Sequence, residues 1–399
     1  MSDGAPPIDI EIFGKTDVGL IREHNEDNFL IADVTAGSRT NDGKEPLKMR
    51  LGDKGALLLV CDGMGGAAAG EVASQLAVDI IYEKLSQGDP PTNHDDLARR
   101  LVHAVEEAGG RIFGEARADR TRRGMGTTST IAALLDSRLF VAQVGDSRAY
   151  ILRGDKFVQV SRDQSLVNQL IEAGQLTEEE AETFEHNNII LQALGTAETV
   201  QVDLTYVDLR KGDTLLVCSD GLSGMVRADE MREVLLSCRE PFDACKELVD
   251  RANRAGGHDN ITVIVAVFEG DSLAPAGSQD TLAYQKYALP EVPAEATVRA
   301  PSVQHAEAYS TAPASQEAQR ESRRLRVGHT MVGMTNPMAA TPATGTPLQP
   351  RGASTPPPTF NIEDDPVSLP TTGLPPSVVG MVVLAAMLLV AIAGFLLLR

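Results

Sequence analysis

The chain has 399 residues, room for one large domain with appendages or for two or three domains. It carries 36 Lys and Arg against 56 Asp and Glu, a formal charge of -20, and it has no Trp. That balance argues against a basic nucleic-acid surface and against aromatic stacking platforms. The four cysteines, Cys61, Cys218, Cys238 and Cys245, show neither zinc spacing nor a disulfide framework, as expected of reduced cytosolic thiols.

The first residues, MSDGAPPIDIEIFG, are acidic and lack an apolar stretch, so no signal peptide is expected there. EIFGKTDVG alternates as a strand should. LLLVCDGMGG (Leu57–Gly66) reads as a buried strand that runs straight into Asp62 and then into glycines. Gly70–Leu85 and Asp95–Ala116 have apolar residues at helical spacing, the second interrupted by glycines. TSTIAALLDSRLFVAQVGDSRAYIL reads as three strands with turns at Asp136-Ser137 and near Asp146-Ser147. Thr177 to Glu180 has the signature of a capping box. QVDLTYVDL alternates, KGD turns, and LLVCSDGLSG (Leu215–Gly224) repeats the strand-into-acid design at Asp220. Two further helices, ADEMREVLLSC and PFDACKELVDRANRAGG, precede a last strand, Asn260–Phe268. Strands in consecutive groups with helices between them favour an α+β fold of antiparallel sheets with helices outside.

Composition shifts near Asp271. Residues 271–373, rich in Pro, Ala, Ser and Thr, bury too little to offset their ordering entropy and read as a disordered linker. ESRRLR (Glu321–Arg326) is a basic island within it, read as a solvated run. Val378–Leu398 is uncharged and long enough to span a bilayer, so residues 374–399 are expected to be a C-terminal transmembrane anchor. Leu369–Gly373 spells an LPxTG sorting signal, but export would need an N-terminal signal, and the match is read as chance. The expected arrangement is a single-pass anchor in the cytoplasmic membrane with the globular domain in the cytosol.

Four acids stand where strands end or turns begin: Asp62, Asp146, Asp220 and Asp259. Glu26 and Asp27 lie together in GLIREHNEDNF. Carboxylates with carbonyl and water ligands suit hard cations such as Mg²⁺ and Mn²⁺. Gly63 and Gly221 allow sharp turns beside two of the acids and leave main-chain carbonyls accessible. Any single Asp-Gly is more often a turn than a ligand. Recurrence at the ends of apolar strands is what raises the metal reading.

The order RxxNED, VCDGMGG, GMGTTST, VGDSRAY, SDGL, HDNITV resembles the metal-dependent Ser/Thr protein phosphatases of type 2C, in their bacterial form, over Ile8 to Gly270. The resemblance implies a four-layer α-β-β-α sandwich, two antiparallel sheets flanked by helices, with a binuclear Mn²⁺ or Mg²⁺ centre at one end. By matching positions, Asp62 bridges the metals and the Gly63 carbonyl binds one of them. Asp27, supported by Glu26, serves the first metal; Asp220 and Asp259 serve the other. Asp146 with Asp220 matches a third, weaker site. Arg22 matches the arginine that grips the substrate phosphate, and Asn260 orients the site. Two cations about 3.5–4 Å apart would share and acidify a water that attacks phosphorus in line. The implied partners are phosphorylated proteins and the Ser/Thr kinases that the enzyme would oppose, with a monomeric catalytic domain.

The chain departs from the family pattern in places. Bacterial relatives usually carry His where Ala67 stands, and others carry His where Met64 stands. No general acid is supplied there; His24 and His258 flank the site motifs as loop residues. Arg162 to Val202 resembles the family's flap, with Gln164 where His is common. Two rival readings compete. Cys245–Arg251 has Cys-x5-Arg spacing but no glycine nest, and it lies in a helical pattern. A non-catalytic phosphoprotein-binding module would be expected to have lost Asp62, Asp220 or Asp259, and all three are present.

Overall fold

The computed structural model describes residues 8–65, 69–181, 184, 188–277 and 282–290. The chain begins with β1 (Asp9–Asp17), β2 (Asn28–Asp33), β3 (Ser38–Thr40), β4 (Leu47–Arg50), β5 (Ala56–Cys61) and β6 (Gly63–Met64). Helices α1 (Ala69–Ser86) and α2 (His94–Ala118) follow. Then come β7 (Gly126–Thr127), β8 (Ser129–Leu135), β9 (Arg138–Val144), β10 (Arg148–Arg153) and β11 (Lys156–Gln159). After α3 (Leu166–Glu172) and α4 (Glu178–Ala181) the chain returns through β12 (Asp203–Asp208) and β13 (Thr214–Cys218). It ends with α5 (Asp220–Ser223), α6 (Ala228–Ser237), α7 (Pro241–Arg254), β14 (Ile261–Glu269) and β15 (Gln285–Lys286).

Two large antiparallel sheets result. The first has the order β11-β10-β13-β14-β1-β4 and the second β15-β12-β9-β8-β5-β2-β3, with β6 and β7 as a small separate pair. Side chains alternate across each strand with period two. In β5, Ala56, Leu58 and Val60 enter the core between the sheets, while Leu57, Leu59 and Cys61 face α1 and α2. In β13, Leu215 and Val217 point inward, while Leu216 and Cys218 meet α6 and α7. Both faces of each sheet are therefore covered. This is why ALLLVC and the LLVC of β13 are apolar throughout rather than alternating, although their sheets are antiparallel. Each fully buried Leu, Ile or Phe contributes about 1.5–3 kcal/mol relative to exposure.

The α+β expectation holds, with two antiparallel sheets and helices outside. The turn at Asp136 is a true hairpin between β8 and β9, with Asp136 itself at φ 52°. The turn at Asp146-Ser147 is not. β9 and β10 lie in different sheets, so this loop carries the chain across the sandwich. Alternation reveals which face a residue takes but not which sheet its strand joins. α2 runs unbroken through its three glycines, and Gly109 faces Leu194 and Val200. The capping box at Thr177 and Glu180 is present, with reciprocal contacts of 2.9 and 3.2 Å. Cys245 is buried in α7, its Sγ donating to the Phe13 carbonyl, and burial pushes its thiol far above the ordinary range. It is neither exposed nor ionisable enough to serve as a nucleophile.

The chain past Gly270 still packs on the sandwich. Leu273 and Leu282 are buried, and β15 pairs with β12 at the edge of the second sheet. Tyr287 donates its N–H to the Leu204 carbonyl (2.8 Å). Its ring meets Phe140 and Tyr206 at 5.1 and 5.5 Å, and its hydroxyl bonds Asp95. The folded part thus reaches beyond the composition shift at Asp271. The rest of the expected linker and the apolar segment Val378–Leu398 lie outside the described residues; among those described, no helix is long and apolar enough to cross a membrane. We predict that Tyr287→Ala destabilises the domain by about 1–3 kcal/mol in urea unfolding. Wild-type stability in that variant would show that the strap is not part of the fold.

Candidate active site

Strand register gathers the acids. In the second sheet, Asn28 pairs with Cys61, so Asp27 and Asp62 come off adjacent strand ends. In the first, Arg148 pairs with Cys218, Cys218 with Val263, and Asp17 with Ile261. The residues just past those ends are Asp146, Asp220, Asp259 and the loop that bears Arg22. All six acids and Arg22 therefore flank the same end of the sandwich. The carboxyls of Asp62 and Asp220, from opposite sheets, lie within hydrogen-bonding reach of each other.

The surroundings are built to hold carboxylates out of water. Asp27, 4 % exposed, accepts at Oδ2 from Ser219 Oγ (2.8 Å) and Thr262 Oγ1 (2.7 Å). The Asp62 N–H donates to Thr128 Oγ1 (2.9 Å), and its carbonyl accepts from Thr128 N and Thr127 Oγ1. Asp259 accepts from Arg22 Nη2 (2.7 Å) and from the Asn260 N–H (2.8 Å). Asn260 ties the 18–26 loop to the start of β14. Its Oδ1 accepts from Glu26 N (2.8 Å), and its Nδ2 donates to the carbonyls of Val18 (3.0 Å) and His24 (2.9 Å). Glu26 acts as much through its backbone, whose carbonyl accepts from Ser74 Oγ. His24 and His258 are exposed on the loops beside the acids.

Several glycines here are required by close backbone approach. A Cβ on Gly63 would lie 2.3 Å from the Gly70 carbonyl oxygen, and one on Gly221 1.9 Å from that of Asn260. Both distances are below any real contact. Gly63 thus earns its place first by packing against α1, which the sequence pattern does not reveal.

Burial dominates the electrostatics. It raises Asp27 to about 8, and hydrogen bonds from Thr262 and Ser219 only partly oppose it. It raises Asp146 to about 7, aided by repulsion from Asp220. Asp62 is held well above the usual carboxylate range by burial and then by Asp27 and Asp220. Asp220 and Glu26 are raised as well, burial again being the first cause. Without a counter-charge such a cluster keeps protons that free carboxylates would lose.

The donor set fits a hard cation. Among the described residues, the Oδ1 atoms of Asp27, Asp146 and Asp220 are buried and have no hydrogen-bond partner. Buried oxygens normally find one. As the side chains stand, no group of three or more His, Cys, Asp or Glu side chains among the described residues is placed to hold a metal ion, and Asp259 is turned to Arg22.

Sequence reasoning missed the polar residues behind the acids. Thr128 Oγ1 contacts Ser147 Oγ (2.8 Å), and Thr130 and Gln143 continue the network to the Ser147 carbonyl. Gln164 clasps the Gly145 backbone from both sides, through its own N–H (2.8 Å) and its Oε1 (3.0 Å). The available signal was the density of hydroxyls in GTTST just before an apolar strand. Ala67 lies outside the described residues; Met64 is exposed beside the site.

The protein phosphatase 2C family model matches residues 36–258. The serine/threonine phosphatase stp of Listeria innocua is 37% identical over 251 residues, 63% of this chain and 93% of that protein. Protein phosphatase PhpP of Streptococcus pneumoniae is 36% identical over 264 residues, 66% of this chain and 100% of that protein. Among solved structures, the catalytic domain of the serine/threonine protein phosphatase PstP, in complex with two manganese ions, is 32% identical. It superimposes with a TM-score of 0.54, covering 66% of this chain and 99% of that one.

The raised carboxylates give a signed prediction. Between the ordinary carboxylate pKa of about 4 and about 8, the value for Asp27, the folded state holds protons that the unfolded chain has released. Metal-free stability should therefore fall as pH rises from 6 to 8 through these folded-state values. Mn²⁺, which competes with those protons, should raise the melting temperature more at pH 8 than at pH 6. Thermal melts with EDTA or Mn²⁺ test this; metal-free stability that climbs over that range would contradict it.

Proposed function

Because this chain belongs to the protein phosphatase 2C family, we propose that it is a metal-dependent protein serine/threonine phosphatase, hydrolysing phosphoserine and phosphothreonine in proteins. The observation that carries the reading is the cluster of buried carboxylates from both sheets with unpartnered oxygens, Asp27, Asp146 and Asp220, around the Asp62–Asp220 contact. Asp62, the Gly63 carbonyl, Asp220, Asp259 and Asp27 would hold two Mn²⁺ or Mg²⁺ ions, with Glu26 in support and Asp146 with Asp220 at a third position. Bound there, such cations neutralise phosphate charge and acidify water.

The chain's own residues do the rest. Arg22 is half exposed and held by one ion pair, to Asp259. Its planar guanidinium can take two phosphate oxygens at once. Asn260 fixes the loop that carries Arg22, through the carbonyls of Val18 and His24. The buried Thr128–Ser147 pair fixes the backbone of Asp62 from behind. Cys245, buried between α7 and the first sheet, cannot serve as a phosphate acceptor.

On sequence grounds the proposal extends to the whole chain. Residues 374–399 would anchor it in the cytoplasmic membrane with the catalytic domain in the cytosol. Residues 291–373 would tether that domain near membrane Ser/Thr kinases, at raised local concentration. The rival reading is a non-catalytic phosphoprotein-binding module.

Turnover of p-nitrophenyl phosphate and of a phosphothreonine peptide with Mn²⁺ decides between them. Asp62→Ala should lower kcat by about 10³-fold. Its metal-free melting temperature should not fall, since a carboxyl group that is costly to desolvate and to ionise beside Asp27 and Asp220 is removed. Arg22→Ala should raise KM by about 10- to 100-fold, the loss of a charge-assisted contact. Metal-independent inertness of the wild-type chain would favour the binding module.

A further inference from the structure

Most buried polar groups near the acids are explained by the site, but the apolar groups around it are not. Nine large apolar side chains are exposed among the described residues: Val18, Leu20, Ile21, Met64, Ile189, Leu191, Leu236, Phe242 and Tyr284. Single exposed aliphatics are ordinary; clustering is the informative feature. The first six belong to three segments that border the acid cluster. Leu20 and Ile21, 65 % and 64 % exposed, directly precede Arg22. Met64 follows Asp62 and Gly63. Ile189 and Leu191 sit on the segment hydrogen-bonded to residues 164–166, where Gln164 also clasps Gly145 next to Asp146.

These lips are fixed rather than loose. Gly19 (φ 78°) packs so tightly that a Cβ there would lie 2.3 Å from the Asp259 carbonyl oxygen. The Leu20 N–H donates to the Gly257 carbonyl (2.8 Å), and its Cγ would be 2.9 Å from a Cβ on Gly257. Leu20 is thus seated on a glycine and open above. Met64 Cγ lies over Gly126. The Ile189 carbonyl accepts from Leu166 N (2.9 Å), and the Leu191 N–H donates to the Gln164 carbonyl (2.7 Å).

We propose that the rim of Leu20, Ile21, Met64, Ile189 and Leu191 reads the residues flanking the phosphoresidue, and selects phosphopeptides with aliphatic rather than acidic neighbours. The inference rests on the phosphatase reading above and deepens it. With phosphate at Arg22, neighbouring residues of an extended peptide lie about 3.3–3.6 Å further along per position. Flanking side chains one and two positions away therefore come within reach of Leu20 and Ile21, which directly precede Arg22. Charge points the same way. Asp259, Glu26 and Asp62 are the charges that act on Arg22, in a chain of charge -20, so an acidic flank meets like charge while an aliphatic one buries its surface against Leu20 and Ile21.

The test uses the full-length chain with Mn²⁺, p-nitrophenyl phosphate, and two phosphothreonine peptides. These differ only in Leu or Glu at the positions one and two residues from the phosphothreonine. The wild type should prefer the Leu peptide by about tenfold in kcat/KM, the scale of one aliphatic contact. The double variant Leu20→Ser, Ile21→Ser should lose that preference, and Leu191→Ser should reduce it. Both should keep p-nitrophenyl phosphate kinetics within about twofold. Equal use of the two peptides by a wild type active on p-nitrophenyl phosphate would overturn the inference alone. So would a rim that joins two copies, seen as a dimer in sedimentation that the double variant dissolves. No turnover of p-nitrophenyl phosphate would remove the phosphatase reading, and the inference with it.

Discussion

The structure depends on one unfavourable interaction. At least four carboxyl groups, Asp27 and Asp146 buried and Asp62 and Asp220 half-buried, stand at the same end of a sandwich, where each raises the cost of ionising the next. Nothing local would hold them there. They stay because each hangs from a strand whose other residues are buried on both faces. The apolar runs before Asp62 and Asp220 supply that attachment. The energy stored in the repulsion is what a divalent cation would release.

Chain topology shows how the loops come to face the acids. The chain passes between sheets at this end of the sandwich through 18–27, 145–147 and 160–202. The first carries Arg22, Glu26 and Asp27, and the second carries Asp146. The third brings Gln164, Ile189 and Leu191. Crossings at the far end, 51–55 and 209–213, carry none of the expected site residues. A loop that spans two sheets must cross the gap between them, which carries the backbone of 18–27 and 145–147 past the strand ends that bear Asp62 and Asp220.

How much of this was legible in the sequence varied with residue type. Asp62 and Asp220 were visible because the same design recurs, an acid and a glycine at the end of an apolar strand, LLLVCDG and LLVCSDG. Asp259 and Asp27 were visible only together with the family motifs, since HDN and NED alone read as polar loops. Ser219, Thr262, Thr128 and Ser147 were not visible, because a hydroxyl is compatible with strand, cap or turn. Their role depends on which strands become neighbours. The same holds for β15: Gln285 and Lys286 have no strand signature, and they pair with β12 because Leu282 and Tyr287 on either side are anchored.

Asn260 shows why an amide is needed where a carboxylate would seem to fit equally well. It sits 5 % exposed between Asp259 and the first residue of β14. Its two N–H bonds reach the carbonyls of Val18 and His24, which only a donor can satisfy, while its oxygen takes the Glu26 N–H. An aspartate would meet two carbonyl oxygens with two more lone pairs and add another charge to an overcharged end. An alanine would leave three backbone groups unmatched, each at about 1–3 kcal/mol. The amide lets one side chain set the position of the whole 18–26 loop, and with it Arg22 and the aliphatic pair beside it, without adding to the repulsion that the site must already bear.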